Sequence, residues 1–85
     1  MIIIFHKDFT KRIKILPRKI QKRFNERLML FEKDQMNPVL NNHSLKGKYL
    51  GRRSINITGD LRVIYQKNDD NVIFVTIDSH SNLYG

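Results

Sequence analysis

The chain contains no cysteine, so disulfides and thiolate metal sites are excluded. It also lacks a long apolar run. Its hydrophobic stretches are a few residues each, far short of the roughly 20 that span a bilayer. The opening Met-Ile-Ile-Ile-Phe-His has neither a basic lead-in nor a small-residue cleavage site, so a secretory leader is not expected and a cytoplasmic home fits. Internal repeats and low-complexity tracts are missing too, which makes the chain one unit. The three histidines, at positions 6, 43 and 80, have no HxxxH or HxH spacing, so neither a metal nor a cofactor is expected. A phosphate-cradling glycine loop and a nucleophile elbow are likewise absent.

Acidic residues are scarce. Eight Asp and Glu stand against sixteen Lys and Arg in 85 residues, a net charge of +8. Such an excess on one small domain points to a polyanionic partner, either nucleic acid or an acidic protein. The imbalance is uneven, at +6 over residues 1–40 and +2 over residues 41–85. No Asp or Glu occurs from Gln35 through Gly59, a segment that holds His43, Lys46, Lys48, Arg52 and Arg53. A basic run is often only a solvated face. Here it adjoins a polar sheet face, along which a phosphate chain could lie.

The pattern of elements is β-α-α-β-β-β. Residues 2–5 are β-branched or aromatic and read as a strand. Asp8 is placed to cap a short helix with Phe9, Ile13 and Leu16 on one side. Pro17 ends that helix and opens a second, which runs to about Gln35 with Ile20, Phe24, Leu28 and Phe31 as its apolar stripe. Residues 39–51 are polar and glycine-punctuated, an ordered loop. Three strands follow, over residues 53–57, 61–67 and 72–78, the last two joined by a turn at Asn68-Asp69-Asp70-Asn71.

Register discriminates between two forms of the first hairpin. A two-residue Gly59-Asp60 loop would mix apolar and polar side chains on both faces. A three-residue Thr58-Gly59-Asp60 loop instead aligns Ile55 with Val63 and Ile57 with Leu61, leaving Asn56 beside Arg62 on the other face. Because a one-residue slip exchanges the faces, the second form is expected. The fold class is therefore α+β, with a helical hairpin on one face of a mostly antiparallel four-stranded sheet and a short C-terminal tail.

Four segments of the second half carry a family resemblance. They are His43-Ser44-Leu45-Lys46-Gly47, Gly51-Arg52-Arg53-Ser54, Gly59-Asp60-Leu61-Arg62-Val63-Ile64-Tyr65 and Ser79-His80-Ser81-Asn82-Leu83-Tyr84. In order and spacing they resemble the RelE/ParE toxin superfamily, and most of all its YafQ branch. The first half is similar in architecture alone. The resemblance implies a toxin of a type II toxin–antitoxin system, a ribosome-dependent endoribonuclease that cuts messenger RNA in the decoding site. It also implies a cognate antitoxin, operator DNA contacted only through the toxin–antitoxin complex, and no membrane. By position, the cleavage residues fall on His43, Asp60 and His80, with the late aromatic on Tyr84. Asn56 stands where the YafQ pattern has a histidine. Asparagine can hydrogen-bond a phosphate but cannot shuttle a proton near neutral pH.

The residue types suit that chemistry. Attack of a 2′-hydroxyl on its own phosphodiester needs a base, an acid and cations. Histidine can serve as either of the first two near neutrality, and arginine matches phosphate oxygens. Lys46, Lys48, Arg52, Arg53, Asn56 and Arg62 are the expected RNA and phosphate contacts. Each candidate has a plainer alternative. His43 could be a solvated loop residue, Asp60 turn chemistry, Arg62 an ion-pair partner of an acid such as Asp78, and Tyr84 a pin for the tail. His6, Tyr49 and Tyr65 read as structural. Two other functions stay open: a ParE-like toxin that inhibits DNA gyrase without catalysis, and a catalytically weakened toxin that still binds its antitoxin.

Overall fold

Residues 1–79 are described in the structure, a computed structural model. Strand β1 (Ile2–Phe5) leads into helix α1 (Lys7–Lys14) and then helix α2 (Arg18–Lys33). Four strands follow: β2 (His43–Ser44), β3 (Arg53–Asn56), β4 (Leu61–Asn68) and β5 (Asn71–Ser79). They form one sheet in the order β1-β5-β4-β3-β2. The helices pack on one face, as the α+β reading expects. The sheet has five strands rather than four. The extra one is β2, two residues inside the expected loop, pairing antiparallel with Arg53 and Ser54. Strand β1 pairs in parallel with β5, so the sheet is mixed, with one parallel pair at its edge.

The helix boundaries follow the expected punctuation with one exchange of roles. Asp8 does not cap α1. His6 does, its Nδ1 accepting from the backbone N–H of Asp8 at 3.1 Å. The histidine ring thus satisfies one of the amides that the first turn leaves unpaired. Pro17 is the cap of α2, and its fixed φ suits that entry.

The hairpin has the expected three-residue loop. Ile55 faces Val63, Asn56 faces Arg62, and the Ile57 N–H donates to the Leu61 carbonyl at 2.9 Å. Thr58 Oγ1 accepts from the amides of Asp60 and Leu61 and so fixes the tip. The second turn is tight, with Asn68 opposite Asn71 and Asp69 at φ 55°. Aspartate is one of the few side chains that tolerates that region.

The core lies between the helices and the sheet. Phe9, Phe24 and Phe31 from the helices meet Ile55, Ile57, Val63, Tyr65, Val72, Phe74 and Ile77. A bulge opposite Ile64 and Tyr65 changes the inward spacing on β5 from two residues to three. Phe74 and Ile77 consequently both face the helices.

Candidate active site

Period-2 alternation on β3 and β4 places Ser54, Asn56 and Arg62 on the face turned away from the helices. Pairing of His43 with Ser54 brings the histidine to the same face. These residues form a connected cluster around Arg62, which is only 5% exposed. Its Nε donates to Ser54 Oγ and its Nη1 to Asn56 Oδ1. Its Nη2 donates to the Asn41 carbonyl at 3.0 Å and lies 3.2 Å from His43 Nδ1. A buried guanidinium is tolerable only when most of its donors are met, and here three neutral oxygens take one N–H from each of its nitrogens.

His43 is oriented by the same contacts. Its Nδ1 lies 2.9 Å from the Asn41 carbonyl as well as beside Arg62, so that ring nitrogen is turned inward. Nε2 has no hydrogen-bond partner among the described residues. It is the nitrogen through which the half-buried ring can exchange a proton. Asn41, at φ 45°, makes the bend that aims its carbonyl at both neighbours, and asparagine is enriched in that left-handed region.

The other expected site residues lie at varying distances from this centre. Arg53 alternates with Ser54 and points to the opposite face, where its Nε donates to Asn42 Oδ1 at 2.8 Å. Lys46 and Lys48 are exposed on the β2–β3 connection, Lys48 lying over the Tyr49 ring. Arg52 closes that connection through backbone bonds to Leu45 and Tyr49. Asp60 is exposed at the hairpin tip, and its carboxylate has no partner among the described residues. His80 and Tyr84 lie outside the described residues. Asp78 sits opposite Arg62 in the sheet register and is bound by Arg12 of α1 at 2.9 Å. Among the described residues, no three His, Asp or Glu side chains are grouped to hold a metal ion.

Three residues of the site were not among the expected site residues: Asn41, Asn42 and Ser54, the last present in a motif but without a role. Ser54 was accessible from the strand pattern, since it stands two positions before Asn56. Asn42 joins the site to the core. Its Nδ2 donates to the Gln35 carbonyl and to the Tyr65 hydroxyl at 3.0 and 2.8 Å, while its Oδ1 holds Arg53. Asn42→Ala is expected to destabilise the fold by about 1–3 kcal/mol, because the Tyr65 hydroxyl is buried and loses its partner. Chemical denaturation measures this, and adding Tyr65→Phe should recover part of the loss.

The model of the bacterial toxin of type II toxin–antitoxin systems, YafQ, matches residues 3–85. None of the curated proteins matches the chain. Among solved structures, YafQ from E. coli has a TM-score of 0.81 at 20% identity, covering 98% of this chain and 97% of that one. The E. coli DinJ–YafQ toxin–antitoxin complex has a TM-score of 0.78 at 21% identity, with 98% and 96% covered. A copper-bound mutant toxin from Helicobacter pylori is 26% identical over 99% of both chains, with a TM-score of 0.71. The solved structures share the fold, and the match to the family model extends over nearly the whole chain. The chain belongs to the YafQ family of type II toxin–antitoxin toxins, within the RelE/ParE superfamily.

Proposed function

We propose that this toxin is an endoribonuclease that cuts messenger RNA in the decoding site of the ribosome, without a metal or cofactor. The supporting observation is His43, held through Nδ1 beside the buried Arg62, with Nε2 unpartnered among the described residues. In the reaction the 2′-hydroxyl loses its proton and its oxygen bonds to the adjacent phosphorus. The bond from phosphorus to the 5′-oxygen breaks, and that oxygen takes a proton, leaving a cyclic phosphate. His43 and His80 exchange the two protons. Asp60 orients a histidine or accepts a proton, and Tyr84 stacks on an unpaired base.

Among the described residues one Nη1 hydrogen of Arg62 has no partner, and the guanidinium offers it, with its full charge, to the crowded phosphate. Asn56, Lys46, Lys48 and Arg52 complete the RNA contacts, whereas Arg53, on the opposite face, holds Asn42 instead. The ribosome supplies the substrate orientation that a domain of this size lacks. In E. coli YafQ is found with DinJ, and in Staphylococcus aureus YoeB with YefM. By analogy this toxin binds a cognate antitoxin in the cytoplasm, and meets operator DNA through that complex.

Primer extension on messenger RNA bound to purified ribosomes tests the reading, with wild type, His43→Ala and His80→Ala, and with ribosome-free RNA as control. The expected result is decoding-site cuts that need the ribosome and both histidines. A protein that arrests growth yet makes no cuts would refute it, and inhibition of gyrase supercoiling would then identify a ParE-like toxin.

A further inference from the structure

A groove of about 460 Å³ runs between α2 and the β3–β4 hairpin. Lys19, Arg23 and Arg27 line one wall, Asn56 and Thr58 the other, and Val39 closes one side. Its lining contains no acid. Residues four apart on a helix are separated by about 6 Å along its axis, so the three cations form a row over two helical turns. Among the described residues Lys19 and Arg27 have no ion pair, and Arg23 meets only Glu26, at 3.6 Å, with both side chains about half exposed. An exposed pair of that kind is weak and leaves the arginine available. The opposite wall belongs to the acid-free stretch from Gln35 to Gly59.

The groove and the site meet at one residue, Asn56, at the end of β3. Asn56 contributes to the groove's wall and also holds Arg62 through Oδ1. A strand whose scissile phosphate lies by His43 and Arg62 can therefore extend past Asn56 into the row of cations. We infer that the Lys19–Arg23–Arg27 groove is a track for the phosphate backbone of the substrate's own single strand, next to the cleavage site. The ligand is single-stranded RNA bound by charge without base readout, and the inference rests on the ribonuclease reading above. The track fixes the strand's direction through the site and adds affinity that depends on salt.

The test is binding of two uncleavable RNAs, carrying 2′-deoxy at the scissile nucleotide, to the full chain over a range of salt. One RNA is a dinucleotide across the cleavage site, and the other extends several nucleotides to both sides. With Lys19→Ala plus Arg27→Ala, the plot of log affinity against log salt for the long RNA should become shallower by about 1.4, since each phosphate contact on a single strand contributes about 0.7. Binding of the dinucleotide should not change. Lys19 is exposed and Arg27 half-buried, and circular dichroism checks that the variant is folded. An unchanged slope for the long RNA, or an equal loss for both RNAs, would overturn the track. So would an unchanged slope accompanied by weaker antitoxin binding, which would make the groove a protein-docking surface. Ribosome-dependent cleavage by the same preparation separates the two readings. Cleavage with an unchanged slope removes only the track, whereas a shallower slope without cleavage keeps an RNA groove on a chain that is not a nuclease.

Discussion

Phe74→Ala is expected to reduce the free energy of unfolding by about 3–5 kcal/mol, the range for deleting a buried aromatic ring. Phe74 is fully buried, and the rings of Phe5, Phe9, Phe24, Phe31 and Tyr65 surround it with centroids 5.7–6.2 Å away. These neighbours come from β1, α1, α2 and β4, so no one element can move to fill the space. A domain of 85 residues has roughly 4–13 kcal/mol of stability in all. The variant should therefore be close to unfolding at room temperature, with its denaturation midpoint shifted far down. Phe74→Leu keeps much of the volume and should cost less. If alanine and leucine cost the same small amount, the aromatic cluster is not what joins the two helices to the sheet.

Phe74 also marks the limit of what the sequence could convey. The apolar stripe of α2 and the prolines at 17 and 38 made the helical hairpin readable, because helix period and punctuation are local properties. The first hairpin was readable for a different reason: a slipped register would have put Ile55 and Ile57 on one face and Val63 on the other, mixing apolar and polar side chains on both. On β5 the alternation itself is broken by the bulge, so its inward set of Val72, Phe74 and Ile77 does not follow from a count by twos. The parallel pairing of β1 with β5 joins segments some 70 residues apart, and nothing in Ile2–Phe5 names that partner. Strand β2 is two residues long, below what periodicity can register.

That last omission matters most for the site. The resemblance placed His43 and the Asn56 position in one functional set, and the hairpin register with the phosphate chemistry of arginine added Arg62. The contact between His43 and Arg62 depends on His43 pairing with Ser54, which only the assembled sheet decides. The register of β3 on β4 explains why Arg53 and Arg62, both expected at phosphates, point to opposite faces. Their partners are Tyr65 and Asn56, on different sides of the sheet. Asn42 and Asn41 escaped notice because a polar loop residue carries no periodic signal, and their roles come from three separate elements meeting.

For the chemistry, the largest expected effect is at His43. His43→Asn should lower single-turnover cleavage on the ribosome by about 10²–10⁴-fold, the usual contribution of a positioned general acid or base. Asparagine can place a polar atom near the Nδ1 position and keep the contact with Arg62, but it has nothing at Nε2. Stability and antitoxin binding should be nearly unchanged, since the ring is half-buried and its hydrogen bonds to the described residues all lie on the Nδ1 side. A wild-type rate in this variant would remove His43 from the proton path. Arg62→Lys provides the complement. It keeps the charge while losing the fork that binds Ser54, Asn56 and Asn41 together. If Arg62 acts partly by holding His43, the double variant should lose less than the product of the two single losses. Asn56→His completes the series, because it restores the residue of the YafQ pattern next to Arg62. A large gain in cleavage there would mean that this toxin works with one proton carrier fewer than its relatives. An unchanged rate would mean that the native site is already complete with Asn56 as a hydrogen-bonding wall.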